Sequence, residues 1–317
     1  MVVSKKFQPI TKIFVPNDKL SKSLFALSAN DFQAATDGVM FPVTEGEKYD
    51  KRKRCKLPVK TYAALRTTNQ AYRNTPLDMF DRAVLAVCQS ALLNGQTKLT
   101  AGTIYRALTG KNDSGKQTPS SKFADEIMTS AYRLSGINLK ADLSAVNAAY
   151  GYNDGLPMVI PFTPILPCHF DAGDLQGGNT DRIIYLDAES PLMTIAQLKK
   201  QVLVFDSSLL DTGARRNNRQ SIAAKFYAMT RVLETIRAKK SNDGKLRPVI
   251  TFEKLFEQCR ITDATDYTKN AVCGFVTSLL RNLEDEGIIE NSGVTFSVNK
   301  KIAGNFMFDF IKKDTDK

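Results

Sequence analysis

The chain holds a single histidine, His169, beside one of its five cysteines, Cys168. A thiol next to an imidazole invites nucleophilic chemistry, but neighbours on a strand point to opposite faces, so these two do not form a pair. One histidine also leaves the paired-histidine metal site of a rolling-circle nickase, a zincin helix and a Ser-His-Asp triad without the company each requires. The cysteines Cys55, Cys88, Cys168, Cys259 and Cys273 are odd in number, widely spaced and lack a C-x-x-C pair. They read as reduced, buried thiols, in neither a disulfide framework nor a zinc cluster. Asp171, Asp174 and Asp181 in DAGDLQGGNTD invite a cation, yet their spacing is not that of a calcium loop, and a glycine-rich hairpin tip is the simpler reading. There is no G-x-x-x-x-G-K-[ST] to cradle a nucleotide. The expectation is a protein without catalytic residues, metal or cofactor.

Charge points to the partner. Lysine and arginine total 44 against 33 acids, a formal charge of +11. Such a balance favours a polyanion, because phosphates release counterions when Lys or Arg pairs with them. Double-stranded DNA leads. An anionic membrane surface and simple solubility come next as readings of that charge, and no membrane partner is expected of a chain in which no apolar run approaches the ~20 residues that span a bilayer. The start MVVSKKFQPI has no apolar stretch with a cleavage site, so a cytoplasmic location is expected.

At 317 residues with 43% hydrophobic side chains, the chain has room for two domains with a core each. Residues 1–75 read as a partly extended arm of open role. Within it Lys51, Arg52, Lys53 and Arg54 begin the run KRKRCK, which reads either as a solvated loop or as a phosphate-tracking arm. Residues 76–210 open on a helix with Phe80, Val84, Val87 and Ala91 at helical spacing and Asp81, Arg82 and Gln89 off that stripe. The helix stops near Asn94-Gly95, and KLT leads into AGTIYRAL, capped by Thr100 and ended by Gly110. A third helix starts at Thr118-Pro119 and runs to Leu134 on a stripe of Phe123, Ile127, Ala131 and Leu134, with Lys122, Thr129 and Arg133 outward. INLKADLSAV then alternates as a strand, and proline-broken extended pieces follow. A helix near 192–200 and the strand QVLVF close this half.

Residues 211–317 repeat the order. DTGARRNNR, with Arg215, Arg216 and Arg219, reads as a polar basic link. A long helix with Ile222, Phe226, Met229, Leu233 and Ile236 on one stripe comes next, then PVIT, a short helix FEKLFEQCR and a helix from about Thr268 to Glu286. IIENSGVTFSVNK reads as a hairpin turning at Asn291-Ser292-Gly293.

Long helix, strand, short helix, turn, third helix and hairpin is the winged-helix plan, in which the third helix enters the major groove. The expected fold is therefore α+β, with tandem winged-helix domains. Opposite the Val272–Leu283 stripe lie Tyr267, Asn270, Gly274, Thr277, Ser278 and Arg281, with Lys269 beside them and no acid among them. Arg forks onto guanine and Asn onto adenine, while Gly and Thr let a helix come close to base edges. The matching helix of the first half carries Asp125 and Glu126 near Lys122, so that half suits phosphate contacts or a dimer interface.

MFDRAVLAVCQSALLNGQTKLTAGTIYRALTGK resembles the first winged helix of plasmid- and phage-type replication initiators, and SPLMTIAQLKKQVLVFDSSLLDT fits the same plan, with coverage of about residues 77–300. The resemblance implies a non-catalytic initiator whose C-terminal domain reads origin repeats. It also implies an N-terminal domain that dimerises, and recruitment of host replication proteins. A winged-helix transcription regulator and a structural or assembly protein of a mobile element remain as alternatives.

Overall fold

The structure, a computed structural model, describes residues 8–50, 52–111, 118–151, 158–170, 182–214, 217–240, 248–297 and 300–310. In chain order its elements are β1 (Lys12–Pro16), α1 (Lys19–Leu24), α2 (Ala29–Thr36), β2 (Phe41–Asp50), β3 (Cys55–Thr67), α3 (Gln70–Arg73), α4 (Met79–Leu93), β4 (Lys98–Thr100), α5 (Ala101–Thr109) and α6 (Ser121–Gly136). There follow β5 (Ile137–Asp142), α7 (Ser144–Tyr150), β6 (Val159–Pro164), β7 (Cys168–Phe170), β8 (Ile183–Leu186), α8 (Pro191–Leu198) and β9 (Val202–Asp206). The last part holds α9 (Arg219–Lys240), β10 (Val249–Thr251), α10 (Phe252–Gln258), α11 (Asp266–Asp285), β11 (Ile289–Ser297) and β12 (Lys300–Phe310). The class is α+β, and the strands pair antiparallel in sheets ordered β1-β9, β2-β3-β5-β6, β4-β8-β7 and β10-β12-β11.

At the centre is α4, every residue of which from Met79 to Ala91 is buried. It packs against β1, α5, α6 and α9, so it has no solvated face to be amphipathic about. Its polar side chains are used inward. Arg82 donates to the Pro16 carbonyl at 2.9 Å and to Asn17 Oδ1 at 3.0 Å, and the Phe14 amide donates to Ser90 Oγ at 2.8 Å. Gln89 Oε1 accepts from the Ser190 amide at 2.8 Å, fixing the start of α8. Distant segments thus satisfy most of these buried groups, while Arg82 Nε and Gln89 Nε2 keep no hydrogen-bond partner among the described residues.

Those bonds bear on residues 1–75, which are not a loose arm over their described part. β1 pairs with β9 from Lys12↔Asp206 to Pro16↔Val202, and Ile10, Ile13, Leu20, Leu24, Phe25 and Phe32 join the same core as α4. β2 and β3 form a long hairpin that continues through β5 and β6. INLKAD is therefore a strand of this sheet, whereas LSAV, expected to continue it, opens α7 behind the cap that Asp142 gives the Ser144 amide.

The segment after Asp211 is also tied down rather than free. Lys111 Nζ donates to the Ala214 carbonyl, and the buried Lys225 Nζ donates to the Leu210 carbonyl at 2.9 Å and to Asn217 Oδ1 at 3.0 Å. Gly110 ends α5 at φ +76°, where a Cβ would fall 2.4 Å from the Asp211 amide, so both the backbone angle and the close approach require glycine. From α9 onward the elements follow the expected order, and β10 closes the sheet by pairing with β12. One correction concerns the final hairpin. Asn291, at φ +52°, lies in a bulge of β11 between Glu290 and Gly293, so the strand bends there and continues to Ser297 instead of turning back.

Candidate nucleic-acid interface

Helix α11 is set by its ends and by one stripe. Thr265 caps it, accepting from the Thr268 amide, and Val272, Val276, Leu279, Leu280 and Leu283 are buried against α9 and β11. The opposite side is solvent-facing. Tyr267 is 85% exposed, and Asn270, Gly274, Ser278 and Arg281 are exposed along the same face. At Gly274 a Cβ would meet nothing within 4 Å, so the helix backbone is open to a close neighbour there. Thr277 and Ser278 turn their hydroxyls back onto the carbonyls of Cys273 and Gly274 at 3.0 Å, which leaves acceptor lone pairs outward. Lys269 is partly covered, its ammonium 5.8 Å from the Phe256 ring centre. Of the acids, Asp266 is exposed in the first turn, and Glu284, Asp285 and Glu286 lie at the C-terminal end, where Glu284 accepts from Ser292 Oγ at 2.6 Å and is held below its ordinary pKa by that bond.

A second basic feature sits far from α11 in sequence. Arg52, Lys53 and Arg54 occupy the tip of the β2–β3 hairpin, all exposed, with the amides of Arg52 and Lys53 bound to Asp50 Oδ1 at 2.8 and 3.2 Å. Arg54 is left-handed at φ +51°, which turns the chain back into β3. Lys51, Arg215 and Arg216 lie outside the described residues.

Two expected phosphate contacts have other employment. Arg133 is 7% exposed: it donates to the carbonyls of Thr75 and Pro76 at 2.9 Å and faces Asp81 at 3.3 Å. Arg219 pairs with Asp78 at 2.7 Å and stacks 4.5 Å over the Phe80 ring, with Asp81 3.7 Å away. Both arginines neutralise Asp78 and Asp81, the acids that form the capping box of α4. Asp81 also accepts from Ser130 Oγ at 2.7 Å, and burial, reinforced by Asp78, lifts its pKa to about 6. The sequence placed Arg133 outward by its angle on α6, but α6 packs at that point on the loop before α4, so the outward side is covered. On α6, Lys122 and Thr129 are exposed, while Asp125 holds Arg182 at 2.7 Å.

The other chemistry-bearing residues are dispersed. His169 Nδ1 lies 2.7 Å from Asp187 Oδ1 and stacks on Tyr185, while Cys168 is partly buried and its thiol is pushed up to about 12. Cys88 and Cys259 are buried and raised by burial, Cys273 is half-buried and raised to about 11, and Cys55, expected to be buried, is exposed at the start of β3 beside the hairpin tip. Among the described residues no three His, Cys, Asp or Glu side chains gather as a metal site, and no helix is long and apolar enough to cross a membrane. Asp171, Asp174 and Asp181 lie outside the described residues.

One surface escaped the sequence reading altogether. Lys60, Tyr62 and Arg66 alternate outward along β3 while Thr61, Ala63 and Leu65 point to the core, a period of two that CKLPVKTYAALRT carries openly.

No protein-family model matches the chain, and no curated protein matches it either. Among solved structures it is similar to two crystal structures of domains 2 and 3 of RctB. One is 13% identical at a TM-score of 0.35, covering 86% of this chain and 90% of that one. The other is 14% identical at a TM-score of 0.38, covering 86% and 91%.

Proposed function

We propose that the chain is a non-catalytic, sequence-specific binder of double-stranded DNA, reading base edges in the major groove with α11. The observation that carries this reading is the exposed face of α11 from Tyr267 to Arg281. It is free of acid, bears hydrogen-bonding side chains of the types that discriminate bases, and has an open backbone at Gly274. An ordinary solvated helix face carries Glu–Lys pairs three or four apart, which this one does not. In this proposal α9, β10, α10, α11 and the β11–β12 hairpin act as a winged-helix unit, with α4, β4, α5, α6 and the β7–β8 pair as its counterpart in the first half. The exposed Arg52, Lys53 and Arg54 supply sequence-independent phosphate contacts.

The biological role we propose is initiation of plasmid or phage DNA replication at origin repeats, by a cytoplasmic homodimer that recruits host replication proteins. Selection of bound duplexes from a random pool tests the chemistry. A recurring motif supports the reading, and a pool that stays random contradicts it. Placing the selected repeats on a plasmid that depends on this protein for maintenance then separates an initiator from a transcription regulator, which would bind the repeats without sustaining the plasmid.

A further inference from the structure

The four-stranded sheet β2-β3-β5-β6 is covered on one side by α1, α2, α7 and α8 and is open on the other. Its open side is neither apolar, as a dimer face would be, nor simply charged. At one end Phe162 of β6, 40% exposed, has the Arg66 guanidinium and the Lys140 ammonium each 5.9 Å from its ring centre. These three border a concavity of about 690 Å³, floored by Ala64 and closed by Met40 and Gln70. Next along β3 stands Tyr62, 43% exposed, then Lys60. Towards the hairpin tip come Lys56 and, paired across from it on β2, Tyr49 at 56% exposed. The row ends on Arg52, Lys53 and Arg54.

From Arg66 to Lys56 this row is about 33 Å long at a strand rise of about 3.3 Å per residue. Along it the rings of Phe162, Tyr62 and Tyr49 stand among the cations, with Ala64 and Pro58 between them. The acids on the face are Glu47 and Asp142, with Asp37 at the rim of the concavity; Asp142 is engaged by the Ser144 amide at 2.9 Å and Asp37 is paired with Arg73. Exposed rings set among Lys and Arg on an open antiparallel sheet suit a chain that is anionic along its backbone and offers unstacked bases. A duplex meets only half of that description, because its bases are already stacked on each other. We infer that this sheet face binds single-stranded nucleic acid, with Phe162 and Tyr62 as stacking platforms and Arg66, Lys140, Lys60 and Lys56 as backbone contacts. The inference is independent of α11, which lies on another part of the chain.

The chain has no tryptophan, so Tyr62→Trp installs a single fluorophore in the proposed path. Its emission should be quenched by oligo(dT) and left unchanged by heparin, a polyanion without bases. In parallel, the double variant Tyr62→Ala/Phe162→Ala should bind labelled oligo(dT) at least about tenfold more weakly, since each base–aromatic stack typically counts for fivefold or more. It should keep its affinity for duplex DNA, and Arg281→Ala should keep the affinity for oligo(dT). Both rings are solvent-exposed, so the double variant should retain the parent's circular dichroism. Arg66→Glu gives a second route, weakening oligo(dT) through charge with both rings in place. Comparing oligo(dT) with oligo(rU) decides whether DNA or RNA is preferred. Unquenched emission at saturating oligo(dT), or equal affinity of parent and double variant, would overturn the inference. So would a Tyr62→Trp signal that answers to heparin or to lipid vesicles as it does to oligo(dT).

Discussion

Gly274 offers a test in which stability and binding move in opposite directions. It lies inside the 20-residue helix α11, where glycine costs about 1 kcal/mol relative to alanine through backbone entropy. Nothing in the fold asks for that cost, because an added Cβ would find no heavy atom within 4 Å and the backbone angle is ordinary helix. Gly274→Ala should therefore raise the unfolding free energy by about 0.5–1 kcal/mol, read from urea denaturation at unchanged slope. If the position is kept bare so that the helix can come close to base edges, filling it must weaken binding. Gly274→Ala should cost a few-fold in affinity for the selected duplex, and Gly274→Leu should remove the preference for it while the protein stays folded. A loss of stability in Gly274→Ala would mean the face is covered. Full sequence preference in Gly274→Leu would mean that DNA does not approach α11 there.

Three further outcomes follow from the buried network and the hairpin. Arg133→Ala should destabilise the fold by about 3–5 kcal/mol in chemical denaturation, because it strips Asp81 of a buried partner and frees two carbonyls; unchanged stability would return Arg133 to the list of phosphate contacts. Asp81 is raised to about 6 from an ordinary 3.8, so the folded chain takes up its proton before the unfolded chain does. Its contribution then favours folding as pH falls from about 6 towards 4 and opposes folding above that window. Asp81→Asn should flatten this part of the stability profile, and parallel profiles for parent and variant would contradict the assignment. Arg52→Ala and Lys53→Ala should weaken all duplexes alike and each reduce the salt slope of binding by about 1, whereas an effect confined to one sequence would make the hairpin tip a reader of bases.

Local signals carried much of this structure. Thr100 and Gly110 bound α5, and Thr265 with the Val272–Leu283 stripe orients α11, because caps and helical periodicity are properties of a few adjacent residues. What escaped is non-local. Asp81, Arg82 and Gln89 look like a solvated face of α4, yet each is buried by a segment far away in sequence: α6 and α9, β1, and the start of α8. Arg133 and Arg219 were misplaced for the same reason, since a buried carboxylate recruits an arginine that periodicity alone leaves in solvent. β1 was illegible as a core strand until its partner β9 was known, nearly two hundred residues on. The Asn291-Ser292-Gly293 step has turn chemistry, and the left-handed angle at Asn291 is present, but pairing with β12 spends it on a bulge.

The claim that α11 reads DNA is tested most directly by binding of Arg281→Ala and Asn270→Ala to a selected duplex and to a scrambled one, at two salt concentrations. Both side chains are exposed, so neither change opens a cavity. Each should lower discrimination by about 1–3 kcal/mol, the share of a lost two-pronged base contact, while affinity for the scrambled duplex and its steep fall with salt persist. If both variants keep the parent's full preference for the selected duplex, α11 is not the reader, and the account of this protein's DNA recognition fails at its centre.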